Sequence, residues 1–310
     1  MADRTLRYIT NASLLKKLQS GVLKDALDYA SKRENELDIQ IRGNYLNIYY
    51  KGGSILKVNP RSFDFDKNYF YTDSMLRRTK LSDLASKGNA EAIQTIEKLK
   101  KQRNDLLDIL RKEGDAPKYF DRAKFQVNKW LTFLKDELNI QHQEKEEQQY
   151  ISMNNHNGES DYTVLDLEYA VSTNSPFSYN GTKNKVRPRF DIIAIDNKTH
   201  HLCAIELKKG MGATGGVSGI EPHIDCFTHT IGRDNEGLFL DEMKKLLEQK
   251  QAFGYICKEM FIADCPTEFV FAFADIPGEN KYAEFIKSCK GQGFDGKIIY
   301  LDKDSKLFNR

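Results

Sequence analysis

The sequence lacks several features that would narrow its function at once. No run of 18 or more apolar residues occurs, so no segment is built to cross a membrane as a helix. The opening residues Met1-Ala2-Asp3-Arg4 carry no apolar stretch of the kind that directs secretion. Cysteine is sparse and irregular: five residues, at 203, 226, 257, 265 and 289, with no CxxC pair. An odd, unpatterned set argues against a disulfide framework and a zinc ribbon, and fits reduced thiols in a cytoplasmic protein. The Gly-rich stretch Gly210–Gly219 follows a strand-like segment but lacks GxxxxGK[ST] spacing, so it reads as a loop rather than a phosphate-binding P-loop. No spacing supports a Ser-His-Asp or Cys-His arrangement. Internal repeats and low-complexity tails are also missing.

What remains is a charged globular chain. Charged residues make up 30% and hydrophobic residues 40%, and 310 residues leave room for two modest domains. The net charge of +2 conceals an uneven spread: residues 1–120 hold 23 Lys+Arg against 16 Asp+Glu, and the rest hold 24 against 29. A basic half attracts phosphate and an acidic half holds cations, although ordinary surface variation explains such a spread equally well.

Apolar spacing predicts a helix over Asn11–Arg33, capped by Asn11 or Ser13. Strand-like alternation follows at 37–42, 45–50 and 54–58, with turns at Gly43-Asn44 and Gly52-Gly53, as in a small antiparallel meander. A charged helix over 89–113 ends at Gly114-Asp115-Ala116-Pro117, which marks the domain boundary: an α+β region over 1–117 and a second domain over 118–310. Tyr45, Tyr49, Tyr50, Lys51, Lys57 and Arg61, then Tyr69, Phe70, Tyr71, Arg77, Arg78 and Lys80, interleave aromatics with cations, a pattern that serves single-stranded nucleic acid as well as ordinary hairpin faces. The second domain reads as a helix after Asp121, strands at 162–171, 189–195 and 201–208, a helix at 238–255, a strand at 268–274, a helix at 281–290 and a strand at 297–301.

The chemistry lies in Phe190–Gly210. Two apolar strands flank a polar turn, and side chains alternate faces along each strand, so Glu206 and Lys208 point the same way. A turn centred on Lys198-Thr199 sets Asp191 directly opposite Glu206; one centred on Asn197-Lys198 sets it opposite Ala204, on the same face. Either way two carboxylates and an ammonium meet on apolar strands. Such carboxylates repel and are costly to bury unless a partner compensates, and a hard divalent cation does so.

Asp191 followed after fourteen intervening residues by Glu206-Leu207-Lys208 resembles the PD-(D/E)xK nuclease motif. The α-β-β-β-α-β order over roughly residues 122–275 is similar to the restriction-endonuclease-like core, an α/β (α+β) fold with a mixed central sheet. One departure is that the proline stands at Pro188, three residues before the Asp. The resemblance implies a Mg²⁺- or Mn²⁺-dependent nuclease, endonuclease rather than exonuclease. DNA is its preferred substrate, RNA an alternative, and a homodimer is compatible with two strand breaks. Asp191 and Glu206 would hold the metal, and Lys208 would assist the attacking water. Glu147, from the preceding helix, would complete the site, with Glu144 next and Glu168 as an alternative. Gln251 and Tyr255 match the QxxxY string of RecB-like members, and on one helix they would share a face. Lys209 alternates away from the trio. His223 and His229 follow the Gly-rich loop, and a lone histidine is more often structural than functional.

Overall fold

The computed structural model describes residues 6–64, 80–138, 143–156, 158–170, 189–209, 211–215, 219–231, 236–274 and 281–309. The chain forms two compact units, one of residues 9–149 with 253–255 and one of residues 1–8, 150–252 and 256–310. No helix among the described residues is long and apolar enough to cross a membrane.

In the first unit, the expected opening helix is two: Ala12–Leu18 and Gly21–Ala30. The break falls at Gly21, whose φ of +64° suits glycine and ends the helical run. Asn11 is the cap, its side chain accepting from Leu14 N at 2.9 Å. The meander forms as expected: β1 (Asp38–Ile41), β2 (Leu46–Tyr50), β3 (Gly53–Val58) and a short β4 (Phe63–Asp64), antiparallel in that order. The charged helix Ala90–Asp108 runs into a π-helical turn, Ile109–Glu113, which closes at Gly114 with φ +70°.

The boundary expected at residue 117 needs correction. The helix Ala116–Leu138 belongs with the meander. Tyr119 Oη donates to Ile55 O on β3 at 2.5 Å. Phe120 stacks on Tyr29 with centroids 5.4 Å apart, and Tyr29 donates to Asp121 at 2.9 Å. The Gly-Asp-Ala-Pro break is a turn inside a unit, because rings on the next helix bury against the sheet that precedes it. Gln149 closes this unit by accepting from Gly52 N at 2.7 Å and donating to Glu36 O and Tyr49 O.

The second unit is built on a six-stranded mixed sheet in the order β10-β9-β8-β7-β6-β5. Its strands are β5 (Tyr162–Ala170), β6 (Arg189–Asp196), β7 (Leu202–Lys209), β8 (Glu268–Ala274), β9 (Lys297–Leu301) and β10 (Leu307–Asn309). β5, β6 and β7 are antiparallel neighbours; β7, β8 and β9 are parallel; β10 returns antiparallel on β9. Parallel neighbours require a crossover. The helices Ile220–Thr230 and Glu236–Ala252 lie between β7 and β8 in the chain, and Tyr282–Gly291 lies between β8 and β9. The strands match expectation closely. The helix Ile220–Thr230 and the last strand were not foreseen.

Both faces of the sheet are covered. Val164, Ile192, Ala194, Cys203, Ile205, Val270, Ala272 and Ile299 pack with Ile151 into one apolar core. On β8 the alternate residues Phe269, Phe271 and Phe273 pack edge-on or stacked with Phe285 and Phe294. Central strands buried on both faces read as near-continuous apolar runs, which is why a charge among them stands out.

Candidate active site

The β6–β7 hairpin has the register that a turn centred on Lys198-Thr199 demands. Ile192 pairs with Ile205, Ile193 with Ala204, Ala194 with Cys203 and Ile195 with Leu202. One step further that register sets Asp191 across from Glu206. There Leu207 N donates to Asp191 Oδ2 at 2.9 Å, so the aspartate side chain is bound to the partner strand. Ile205 belongs to the apolar core and Leu207 packs against it, which turns Glu206 and Lys208 to the opposite face.

Glu206 and Lys208 are 5% and 3% exposed, and Asp191 is partly buried. Lys208 Nζ stands 3.3 Å from Glu206 Oε1. His223 Nδ1, from the helix Ile220–Thr230, stands 3.2 Å from the same oxygen. Glu206 Oε2 is buried and receives no hydrogen bond. Burial pushes the Glu206 carboxyl well above its ordinary range and the neighbouring Asp191 charge adds to this, while Lys208 opposes it. Burial also raises Asp191, against the Leu207 N–H and the Lys208 charge. Two acceptor carboxylates side by side can share an interaction only through a proton or a cation. A buried acceptor left unmet costs about 1–3 kcal/mol, and more when charged.

The remaining assignments sort themselves by place. Glu168 lies on β5 between Leu167 and Tyr169, which pair with Ile192 and Phe190 and so bracket Asp191. Its charge raises the Asp191 pKa. Its backbone is left-handed, φ +49°, and its carbonyl accepts from Arg7 Nη2 at 2.6 Å. The Glu168 carboxylate, 40% exposed, meets Arg189 at 3.4 Å. Besides Glu206, the acid that the sheet sets beside Asp191 is thus Glu168. Glu147 is partly buried on the helix Gln143–Asn154. Ile151 on that helix packs into the apolar core on the other face from Glu206. A place for Glu147 at the site rests on the resemblance alone. The Glu144 and His229 side chains lie outside those described, and Lys209 is exposed at the end of β7.

The QxxxY reading is corrected. The helix ends at Ala252 and the chain turns through Gly254, φ +73°, so Gln251 and Tyr255 share no helical face. Gln251 Nε2 donates to Cys257 O at 2.9 Å and Met260 O at 2.7 Å, holding the loop after the helix. Tyr255 is buried and donates to Asp38 Oδ1 at 2.6 Å. Both are structural bonds. Of the Gly-rich stretch, Met211–Thr214 forms a short 3₁₀ turn, with Thr214 O accepting from Gln292 at 3.2 Å; Gly210 and residues 216–218 lie outside the described residues.

Two contributors were missed or discounted in the sequence. His223 reaches Glu206 from a helix whose docking no local pattern announces. Arg7 sits beside buried Asp166 at 3.4 Å, and its backbone N donates to Glu242 at 2.6 Å. It braces β5 where Glu168 departs from strand geometry, and no signal in the sequence ties it there.

Among the described residues no group of three or more His, Cys, Asp or Glu side chains is arranged to hold a metal. That excludes a zinc-type cage among them. Mg²⁺ is different: it keeps several waters and is commonly held by one or two carboxylates. The orphaned Glu206 oxygen beside Asp191 fits that demand. Comparison with protein-family models, curated proteins and solved structures finds no match to this chain.

Proposed function

We propose that this protein is a divalent-metal-dependent nuclease that hydrolyses phosphodiester bonds, with DNA as its preferred substrate. The reading is carried by one observation: Glu206 Oε2 is buried, faces a second carboxylate and has no donor, beside the Lys208 ammonium. The order of one helix, three antiparallel strands, intervening helices and a parallel strand supports the resemblance to the restriction-endonuclease-like core.

Asp191 and Glu206 would hold Mg²⁺ or Mn²⁺, which polarises a phosphoryl oxygen and lowers the pKa of bound water. The chain's own part is orientation. Lys208 and His223 both address Glu206 Oε1, which leaves the buried Oε2 as the open acceptor. The His223 bond requires its proton on Nδ1. The Leu207 N–H holds one Asp191 oxygen. Lys208 places a positive charge where negative charge develops on the phosphoryl group, the kind of stabilisation that matters most in a site shielded from water. Glu168 adds a third carboxylate beside Asp191 and takes the role of supporting acid.

A second reading is a catalytically silent module of the same fold that binds nucleic acid or a protein. The lack of a three-ligand group among the described residues favours it. Incubation of plasmid, linear DNA and RNA with Mg²⁺ or Mn²⁺, with Lys208→Ala alongside, separates the two. Metal-dependent cleavage that Lys208→Ala loses is expected. Equal cleavage by wild type, Asp191→Ala and Lys208→Ala sinks the proposal.

A further inference from the structure

The first unit carries a groove that the trio does not use. It has a volume of about 380 Å³ and opens between the helices Ala12–Leu18 and Gly21–Ala30, the β3–β4 turn and the π-helical turn Ile109–Glu113. Among the described residues three cations line it, Lys17, Arg61 and Arg111, and no carboxylate does. Two of the three are set by the backbone rather than by acids. Lys17 Nζ donates to Pro60 O, and Arg111 Nη2 donates to Phe63 O at 3.3 Å. Arg111 also lies over the Phe63 ring, 5.4 Å from its centroid. Asp64, the acid next along the chain, is engaged by Arg103 at 3.5 Å. Val22, Leu23 and Phe63 supply its apolar lining.

Two of these positive charges are held by neutral carbonyls and the third, Arg61, stands exposed, so none is spent on an acid of the groove. Arginine offers a planar fork that matches phosphate oxygens. An apolar wall with an aromatic edge accepts a base or sugar. The volume falls in the range of small-ligand sites, about 300–1,000 Å³. We infer that this groove binds the phosphate of a nucleotide unit, as a free nucleotide or within a single strand. The inference is independent of cleavage and concerns residues outside the trio.

The test uses the full chain in EDTA, so that no metal-dependent cleavage intervenes. Anisotropy of a fluorescent single-stranded oligonucleotide is read at low salt for wild type, Arg61→Ala and the triple variant Lys17→Gln, Arg61→Gln, Arg111→Gln. Arg61 is exposed and makes no hydrogen bond or ion pair among the described residues, so its removal is expected to leave the fold intact. The expected result is a graded loss, at least about 10-fold for the triple variant, with a shallower dependence on salt. Competition by a mononucleotide supports a nucleotide site, and competition by oligonucleotide alone supports a strand. Unchanged binding by Arg61→Ala and the triple variant overturns the inference. So does equal competition by polyglutamate at matched charge, which would reduce the groove to unspecific attraction.

Discussion

Asp191 and Asp196 stand on the same strand, and the protein treats them oppositely. At the turn end of the hairpin, Asp196 is buried, yet its carboxylate is met by Lys297 and by the N–H groups of Lys198 at 2.9 Å and Thr199 at 3.1 Å. Burial alone would raise its pKa, but these donors outweigh it and the pKa falls. At the open end, Asp191 receives one N–H, Glu206 faces it with an unmet oxygen, and both pKa values rise. A buried acid with its donors supplied is part of the scaffold. Buried acids short of donors are stable as partners of something else. On the function proposed above, that difference is what a cation at the open end would answer.

The sharpest way to break the comparison is at Lys208. Lys208→Ala should cut metal-dependent cleavage by about 10²–10³-fold or more, the usual loss when a charge-stabilising group is removed. The variant should keep its circular dichroism spectrum and melting temperature within a few degrees. His223→Ala should cost less, because it acts through Glu206.

Stability should separate the two ends next. In EDTA, Asp196→Asn should lose about 2–3 kcal/mol in denaturant unfolding, because it uncouples a charge-assisted pair. Glu206→Gln should hold or gain stability while losing activity. If Glu206→Gln is as damaging as Asp196→Asn, the open end is scaffold too.

The pH dependence follows with opposite signs. Asp196, depressed in the fold, contributes stability that is present above its unfolded value near 3.8 and is lost as pH falls through the lower folded value. Glu206 and Asp191, raised in the fold, contribute stability that is present below their unfolded values and is lost as pH rises through the folded ones. Thermal melts in EDTA should therefore show an acid limb that Asp196→Asn flattens and an alkaline-side decline that Glu206→Gln flattens. Saturating Mg²⁺ or Mn²⁺ should reverse that decline, by about 2.7 kcal/mol at a hundredfold excess over Kd.

The smallest effect is expected at Gln251. Gln251→Ala should destabilise by about 1–2 kcal/mol, since its amide holds the loop carbonyls of Cys257 and Met260. Its cleavage rate per folded molecule should match wild type. A selective loss of activity would restore the QxxxY reading.

Much of the sheet was legible because strand periodicity is local. Alternation along Phe190–Asp196 and Leu202–Lys208 was enough to put Asp191 on one face with Glu206 and Lys208, while the choice between Glu206 and Ala204 as its partner waited on the register of the turn. The helix boundaries were less so: Gly21 divides a run whose apolar spacing continues across it, and the Gly114 turn resembles a domain boundary in composition while the rings of Tyr119 and Phe120 bind the next helix back onto the meander. The fourth acid is a different case. Glu147 rests on the resemblance and its place in the chain, whereas the adjacency of Glu168 to Asp191 is a matter of which strand lies on the far side of β6.

The sequence by itself determined the trio, its common face and the hairpin that joins it, because the two-residue period of a strand and the position of one turn decide all three. The tertiary structure alone decided that β5 brings Glu168 to Asp191, that a helix delivers His223 to Glu206, and that Gln251 and Tyr255 are used elsewhere. Those neighbours depend on strand order and helix docking, which are set by burial of whole faces rather than by any short run of residues.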